Sequence, residues 1–181
     1  MTTADPTLID HLWSSTARGE VYAVVDAARS PAIHGQHLRD HPEQRCLYDG
    51  ALSPALARAA PYLVRLWPSS SLTSQLTGEA WGQSWGVFLT SSSTIDQLRR
   101  HLRRFLTVRR ERGRTFHFRY YDPRVLTRYL PTCTDEELCT FFGPIQAFCA
   151  ESTNGQSLVE LRLRDDGGLG QLQVFRKGGR P

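Results

Sequence analysis

Val21-Tyr22-Ala23-Val24-Val25 is an unbroken apolar run set between Glu20 and Asp26, and it constrains the fold more than any other stretch. It is too short for a buried helix, and as a strand it sends apolar side chains to both faces. A strand of that kind needs cover above and below, which points to a sheet with helices on both sides. The expected class is α/β: a mixed sheet flanked by helices, with a small helical region and a C-terminal β-hairpin.

The remaining elements fit that plan. Ala32 to Asp40 reads as a helix and Arg45 to Tyr48 as a short strand. Ser53-Pro54 supplies a cap followed by proline at the first helical position, so a helix runs from Pro54 to Ala60. Tyr62 to Trp67 and Trp85 to Leu89 read as strands, separated by a Ser-rich connection and a short helix within Ser69 to Leu76. Thr94-Ile95-Asp96-Gln97 is a capping box opening the clearest helix, Ile95 to about Thr107. Its Ile95, Leu98, Leu102, Phe105 and Leu106 share one face; Arg99, Arg100, Arg103 and Arg104 share the other. Glu111 to Arg114 reads as a turn into a strand from Thr115 to Tyr120. A second capping box, Thr134-Asp135-Glu136-Glu137, begins a helix that stops at Gly143-Pro144. Ser157 to Arg164 and Gly170 to Arg176 alternate apolar and polar residues around Asp165-Asp166-Gly167-Gly168, the pattern of a hairpin. Gly178 to Pro181 is a loose tail. One domain over 1–150, with 151–181 as a hairpin extension of the same domain, suits a chain of 181 residues.

The junction Arg119-Tyr120-Tyr121-Asp122-Pro123-Arg124-Val125 carries the densest chemistry. Asp122 can cap the following helix and Pro123 fits its first position. Alternation along the strand puts His117, Arg119 and Tyr121 on the face opposite Phe116, Phe118 and Tyr120. Arg119, Tyr121, Asp122 and Arg124 are therefore the main candidates for a partner-binding surface. Trp81, in a glycine-flanked loop, joins them, because aromatics and arginines are the usual interface anchors. The C-terminal hairpin is a second candidate, its edge able to pair with a partner's strand.

Two other chemistries fit parts of the sequence. Asp26, Asp49 and Asp122 each follow an expected strand, and such carboxylates can converge on a divalent metal in a phosphotransfer or hydrolase site. Against it, capping accounts for Asp122, Asp49-Gly50 is an ordinary turn pair, and no G-x-S-x-G, P-loop or H-E-x-x-H accompanies them. The arginine face of the 95–107 helix, extended by Arg109, Arg110, Arg112 and Arg114, would suit nucleic acid or an acidic protein. No aromatic residues interleave with these arginines as stacking on single strands requires, so the acidic protein is favoured. The net charge of +4, from 22 basic and 18 acidic residues, fits either. His34-Gly35-Gln36-His37 with His41 lacks a matching cysteine or carboxylate set, and the four cysteines form no CxxC pair. No metal and no cofactor is expected, and the thiols read as reduced and mostly buried. No apolar run approaches membrane-spanning length, and Met1 to Asp10 lacks a signal-peptide pattern.

Several blocks together resemble a known family. Tyr22 to Ala27, Leu47-Tyr48-Asp49-Gly50, Pro61 to Leu66, Trp85 to Ser91, Leu98 to Leu106, Arg119 to Val125 and Phe141-Phe142-Gly143-Pro144 occur in the order found in the effector adaptors of type VI secretion systems. These are the chaperones called Tap or TEC, long catalogued as a domain of unknown function. The resemblance runs from about Leu12 to Phe148, with the Tyr-Asp-Pro-Arg block its most specific piece. It implies a cytoplasmic bacterial protein that binds a toxin effector and helps load it onto a VgrG-type spike, without catalysis. Many family members carry a larger C-terminal lobe, for which this chain has little room.

Overall fold

The computed structural model describes residues 5–14, 19–38, 41–109 and 115–176. The apolar run forms β1 (Glu20–Asp26), buried at every position after Glu20. It lies inside a seven-stranded sheet with β2 (Gln44–Cys46), β3 (Pro61–Arg65), β4 (Gly86–Ser91), β7 (Ala147–Glu151), β8 (Ser157–Leu163) and β9 (Leu169–Phe175), in the order β2-β3-β1-β4-β7-β8-β9. β5 (Thr107–Arg109) and β6 (Thr115–His117) form a separate two-stranded ribbon. The α/β class and the C-terminal hairpin are those the sequence implies. Every pairing in the sheet is antiparallel, where the expectation is a mixed sheet.

Alternation along β1 explains the layers. Tyr22 and Val24 enter one core with Leu98, Leu102, Leu126, Phe141 and Phe142, beneath the helices α4 (Ile95–Arg103), α5 (Pro123–Tyr129) and α6 (Asp135–Phe142). Val21, Ala23 and Val25 enter the other with Leu8, Leu12, Leu72, Leu76, Trp81 and Trp85, from α1 (Pro6–Ser14), α3 (Ser71–Thr77) and the loop after it. The short helix α2 (Pro54–Ala57) buries none of its residues. Each fully buried Val, Leu or Phe contributes roughly 1.5–3 kcal/mol, so β1 is held from both sides.

The expected caps are present. Ser53, Thr94, Asp122 and Thr134 each accept a backbone N–H at a helix start, and both capping boxes close. His101, buried under α6, accepts from Arg104 at Nδ1 (2.7 Å) and donates from Nε2 to the Phe141 carbonyl (2.8 Å). Burial lowers its pKa, outweighing that carbonyl, so it stays neutral.

Four expectations are corrected. The helix from Ile95 ends at Arg103, because Thr107 and Val108 are β-branched and pair with His117 and Phe116 instead. The strand expected over Thr115–Tyr120 stops at His117. Phe118 N–H still bonds in register to the Leu106 carbonyl (2.9 Å), but Tyr120 then turns into the core, its hydroxyl donating to the Leu102 carbonyl (3.1 Å). The helix expected over Ala32–Asp40 is π-helical across Ile33–Leu38, and Arg39 and Asp40 lie outside the described residues. β7 has no counterpart among the elements expected from the sequence. It joins β4 to β8, so the hairpin continues the main sheet and a boundary at residue 150 would cut a strand. The turn at Glu111–Arg114 and the tail Gly178–Pro181 lie outside the described residues.

Candidate functional site

The Asp122 junction folds back onto the end of β1. Asp26 closes that strand and caps a single 3-10 turn, Ala27–Arg29, by accepting the Ala28 N–H at 3.1 Å. The turn returns Arg29 to the strand end. Its Nε lies 3.5 Å from Asp26 Oδ2, and its Nη2 donates to Asp122 Oδ2 at 2.5 Å. Asp122 caps α5 through the Arg124 N–H at 3.0 Å and also accepts from Arg124 Nε (3.0 Å) and Nη2 (2.7 Å). Arg119 donates to Asp26 and sets its guanidinium 5.8 Å from the centre of the Tyr121 ring. Three arginines and two aspartates thus form one connected network.

Exposure divides the network by sign. The Asp26 and Asp122 side chains keep 1% and 6% of their surface, whereas Arg119 and Arg124 keep 45% and 52%. What meets solvent is arginine. Burial opposes the charge on Asp122, but hydrogen bonds from Arg124 and the charges of Arg124 and Arg29 outweigh it and lower its pKa. Burial opposes the Arg119 charge too, and Asp26 overcomes that and raises its pKa. Tyr121 is 3% exposed, against the expectation that it faces outward with Arg119, because the strand ends before it. Burial, with Tyr48 and Asp26 nearby, raises its pKa and keeps the phenol protonated. It is a platform under Arg119.

Other candidates sit elsewhere. Asp49 is 73% exposed and pairs with Arg103 at 2.7 Å and Arg99 at 3.7 Å. Among the described residues no group of three or more His, Cys, Asp or Glu could hold a metal ion, so Asp26, Asp49 and Asp122 do not assemble as the metal reading requires. Trp81, expected at the partner surface, is 7% exposed; its indole N–H donates to the Gly155 carbonyl (2.9 Å) and its ring stacks on Phe88. On α4, Arg99 donates to the carbonyls of Cys46 and Tyr48, so part of the arginine face fastens the helix to the segment after β2. The Arg109 side chain and Arg110, Arg112 and Arg114 lie outside the described residues, as does the His37 side chain. His34 and His41 lie against the rings of Tyr62 and Trp67. All four cysteines are free, with Cys149 buried, Cys46 and Cys133 partly buried and Cys139 exposed, so the expected burial holds fully only for Cys149.

Two participants were not anticipated. Arg29 bridges both aspartates; the readable signal was a basic residue three positions after a strand-ending aspartate, a spacing that suits a capped turn. Glu151, at the end of β7, accepts the N–H groups of Gly82 (2.5 Å) and Ser84 (2.7 Å), fixing the loop after Trp81. No helix among the described residues is long and apolar enough to cross a membrane.

No curated protein and no solved structure matches this chain. A family model described as Domain of unknown function (DUF4123) matches residues 21–140, which is 120 of the 181 residues and includes Asp26, Arg29, Arg119, Asp122 and Arg124. The chain belongs to that family.

Proposed function

We propose that this protein is an adaptor that binds a type VI secretion effector in the cytoplasm and helps load it onto a VgrG-type spike. The motif blocks that resemble such adaptors fall largely inside the matched region, and the Tyr121-Asp122-Pro123-Arg124 block sits in the arginine–aspartate network. The observation that carries the reading is the division by sign: buried carboxylates hold two half-exposed arginine side chains in place. Such a surface fits an acidic segment of a protein partner, since Arg offers a planar fork of donors to carboxylate and loses little freedom when already braced. Arg119 and Arg124 make the contact in this reading, while Tyr121 and Asp122 hold them and Trp81 secures the core beneath the neighbouring loop.

Co-expression with candidate effectors encoded by neighbouring genes, followed by size-exclusion chromatography, tests this. Co-elution and better effector solubility are expected. The Arg119→Ala, Arg124→Ala double variant should stay folded and lose roughly 1–3 kcal/mol of binding per anchoring arginine. Separate elution with unchanged effector yield would reject the adaptor, and full binding by the folded double variant would reject this surface.

A further inference from the structure

β9 is an edge strand, and its register shows which of its backbone groups are unused. The Arg164 N–H donates to the Gly168 carbonyl and the Arg176 N–H to the Gln156 carbonyl. With the β8–β9 pairing, these bonds make 162/170, 160/172 and 158/174 the hydrogen-bonded pairs. Leu169, Gln171, Gln173 and Phe175 therefore turn their N–H and C=O groups away from β8. Among the described residues, no backbone group bonds to them from that side.

Edges of this length are normally blunted by charge, proline or a bulge. The opposite edge, β2, is three residues long and contains Arg45. β9 is seven residues long and reads Leu-Gly-Gln-Leu-Gln-Val-Phe, with no charge and no proline. At its centre Leu172 is 52% exposed. A hollow of 280 Å³ lies between Leu172, Gly170, Arg162 and Arg164.

The sequence of this edge is complementary to itself under a two-fold axis through Leu172. In that antiparallel register Gln171 faces Gln173 of the copy and Leu169 faces Phe175, so all the outward backbone groups pair, in about eight hydrogen bonds. On one face Leu172 meets Leu172. On that same face Gly170 of each copy lies opposite Val174 of the other, so no bulky pair collides there. The other face carries an amide pair flanked by apolar pairs, and no like charges are opposed. An unrelated partner strand would match the polar and apolar positions on both faces only by its own sequence. A second copy in this register brings the matching positions with it.

We propose that β9 pairs with β9 of a second copy, joining two seven-stranded sheets into one continuous sheet. This is independent of the adaptor reading, and its test uses the full chain alone. Light scattering coupled to size-exclusion chromatography should give twice the 20.5 kDa chain mass, falling towards one chain mass on dilution. Gln171→Pro removes an outward N–H without touching the β8 ladder, and should weaken dimerisation at least tenfold while the far-UV spectrum is retained. Leu172→Lys sets two ammonium groups against each other and should do the same. Register is read by cysteine: in a Cys139→Ser background, Leu172→Cys should crosslink to itself on mild oxidation and Gly170→Cys should not. A single chain mass at every concentration would overturn the proposal, including where β9 instead accepts another protein's strand. So would a dimer that tolerates Gln171→Pro and fails to crosslink through position 172.

Discussion

Replacing Asp26 with Asn tests whether buried carboxylates hold the arginine site. Asn keeps the shape of the side chain and the oxygen that caps the Ala28 N–H, so the roughly 1 kcal/mol of a lost cap is not in play. What changes is charge: Asp26 is the partner of Arg119 and lies 3.5 Å from Arg29 Nε, and its side chain is 1% exposed. Removing one member of a fully sealed ion pair costs roughly 3–5 kcal/mol. Here Arg119 and Arg29 keep 45% and 25% exposure and Asp122 still holds Arg29, so water and Asp122 take up part of the stranded charge. A loss of about 2–3 kcal/mol is expected. With a urea slope of about 2 kcal/mol per molar, the unfolding midpoint should fall by about 1–1.5 M. Arg119→Ala leaves the buried Asp26 carboxylate with Arg29 and with water entering the vacated space, so it should cost a similar amount, about 2–3 kcal/mol. The reasoning fails if either variant lies within about 0.5 kcal/mol of the parent.

Glu151→Ala should strand the N–H groups of Gly82 and Ser84, a loss of about 2–4 kcal/mol; a lower melting temperature and a red-shifted tryptophan emission would report it, while Glu151→Gln should recover part. The folded-state pKa of Asp122 is lowered, so its contribution is present above the unfolded value near 3.9 and is lost as pH falls through the folded value. Asp122→Asn, which keeps a cap, should therefore flatten the stability profile below about pH 4, and an unchanged acid limb by urea titration would contradict this.

Much of the fold was legible because its signals are local. A two-sided apolar run, two capping boxes and Ser53-Pro54 each act within a few residues, and each forms where the sequence places it. The errors share a physical origin in tertiary pairing. Phe105 and Leu106 continue the helical spacing of α4, yet the chain leaves the helix because β6 offers Thr107 to Arg109 a strand partner and Phe118 bonds to Leu106. Tyr121 fits an alternating strand face by spacing alone, but Tyr120 takes the core position beside Leu102 and pulls the backbone out of the strand. β7 carried the same two-sided apolar signal as β1, in Ala147 to Ala150, and was obscured by the Gly143-Pro144 stop just before it.

The site was half legible for a different reason. Arg119, Asp122 and Arg124 sit within six residues, so their association follows from a turn and a cap. Asp26 and Arg29 lie 93 positions from their partners Arg119 and Asp122, and nothing local announces that pairing. The distant half nevertheless decides what the site can do. Without Asp26 and Arg29, Arg119 would be a mobile surface side chain, and ordering it on binding would cost about 0.5–1.5 kcal/mol. Held by Asp26 and the Tyr121 ring, it has lost that freedom on folding. Arg119 uses Nη2 on Asp26, and a guanidinium has five N–H donors, so the remaining donors can reach an incoming carboxylate while the internal pair stays intact. A lysine ammonium would hold the aspartate through a point charge on a flexible stem and present no second edge to a partner. The residue type, the burial of its carboxylate and the exposure of its outer edge together suit recognition of an acidic chain by a pre-formed surface.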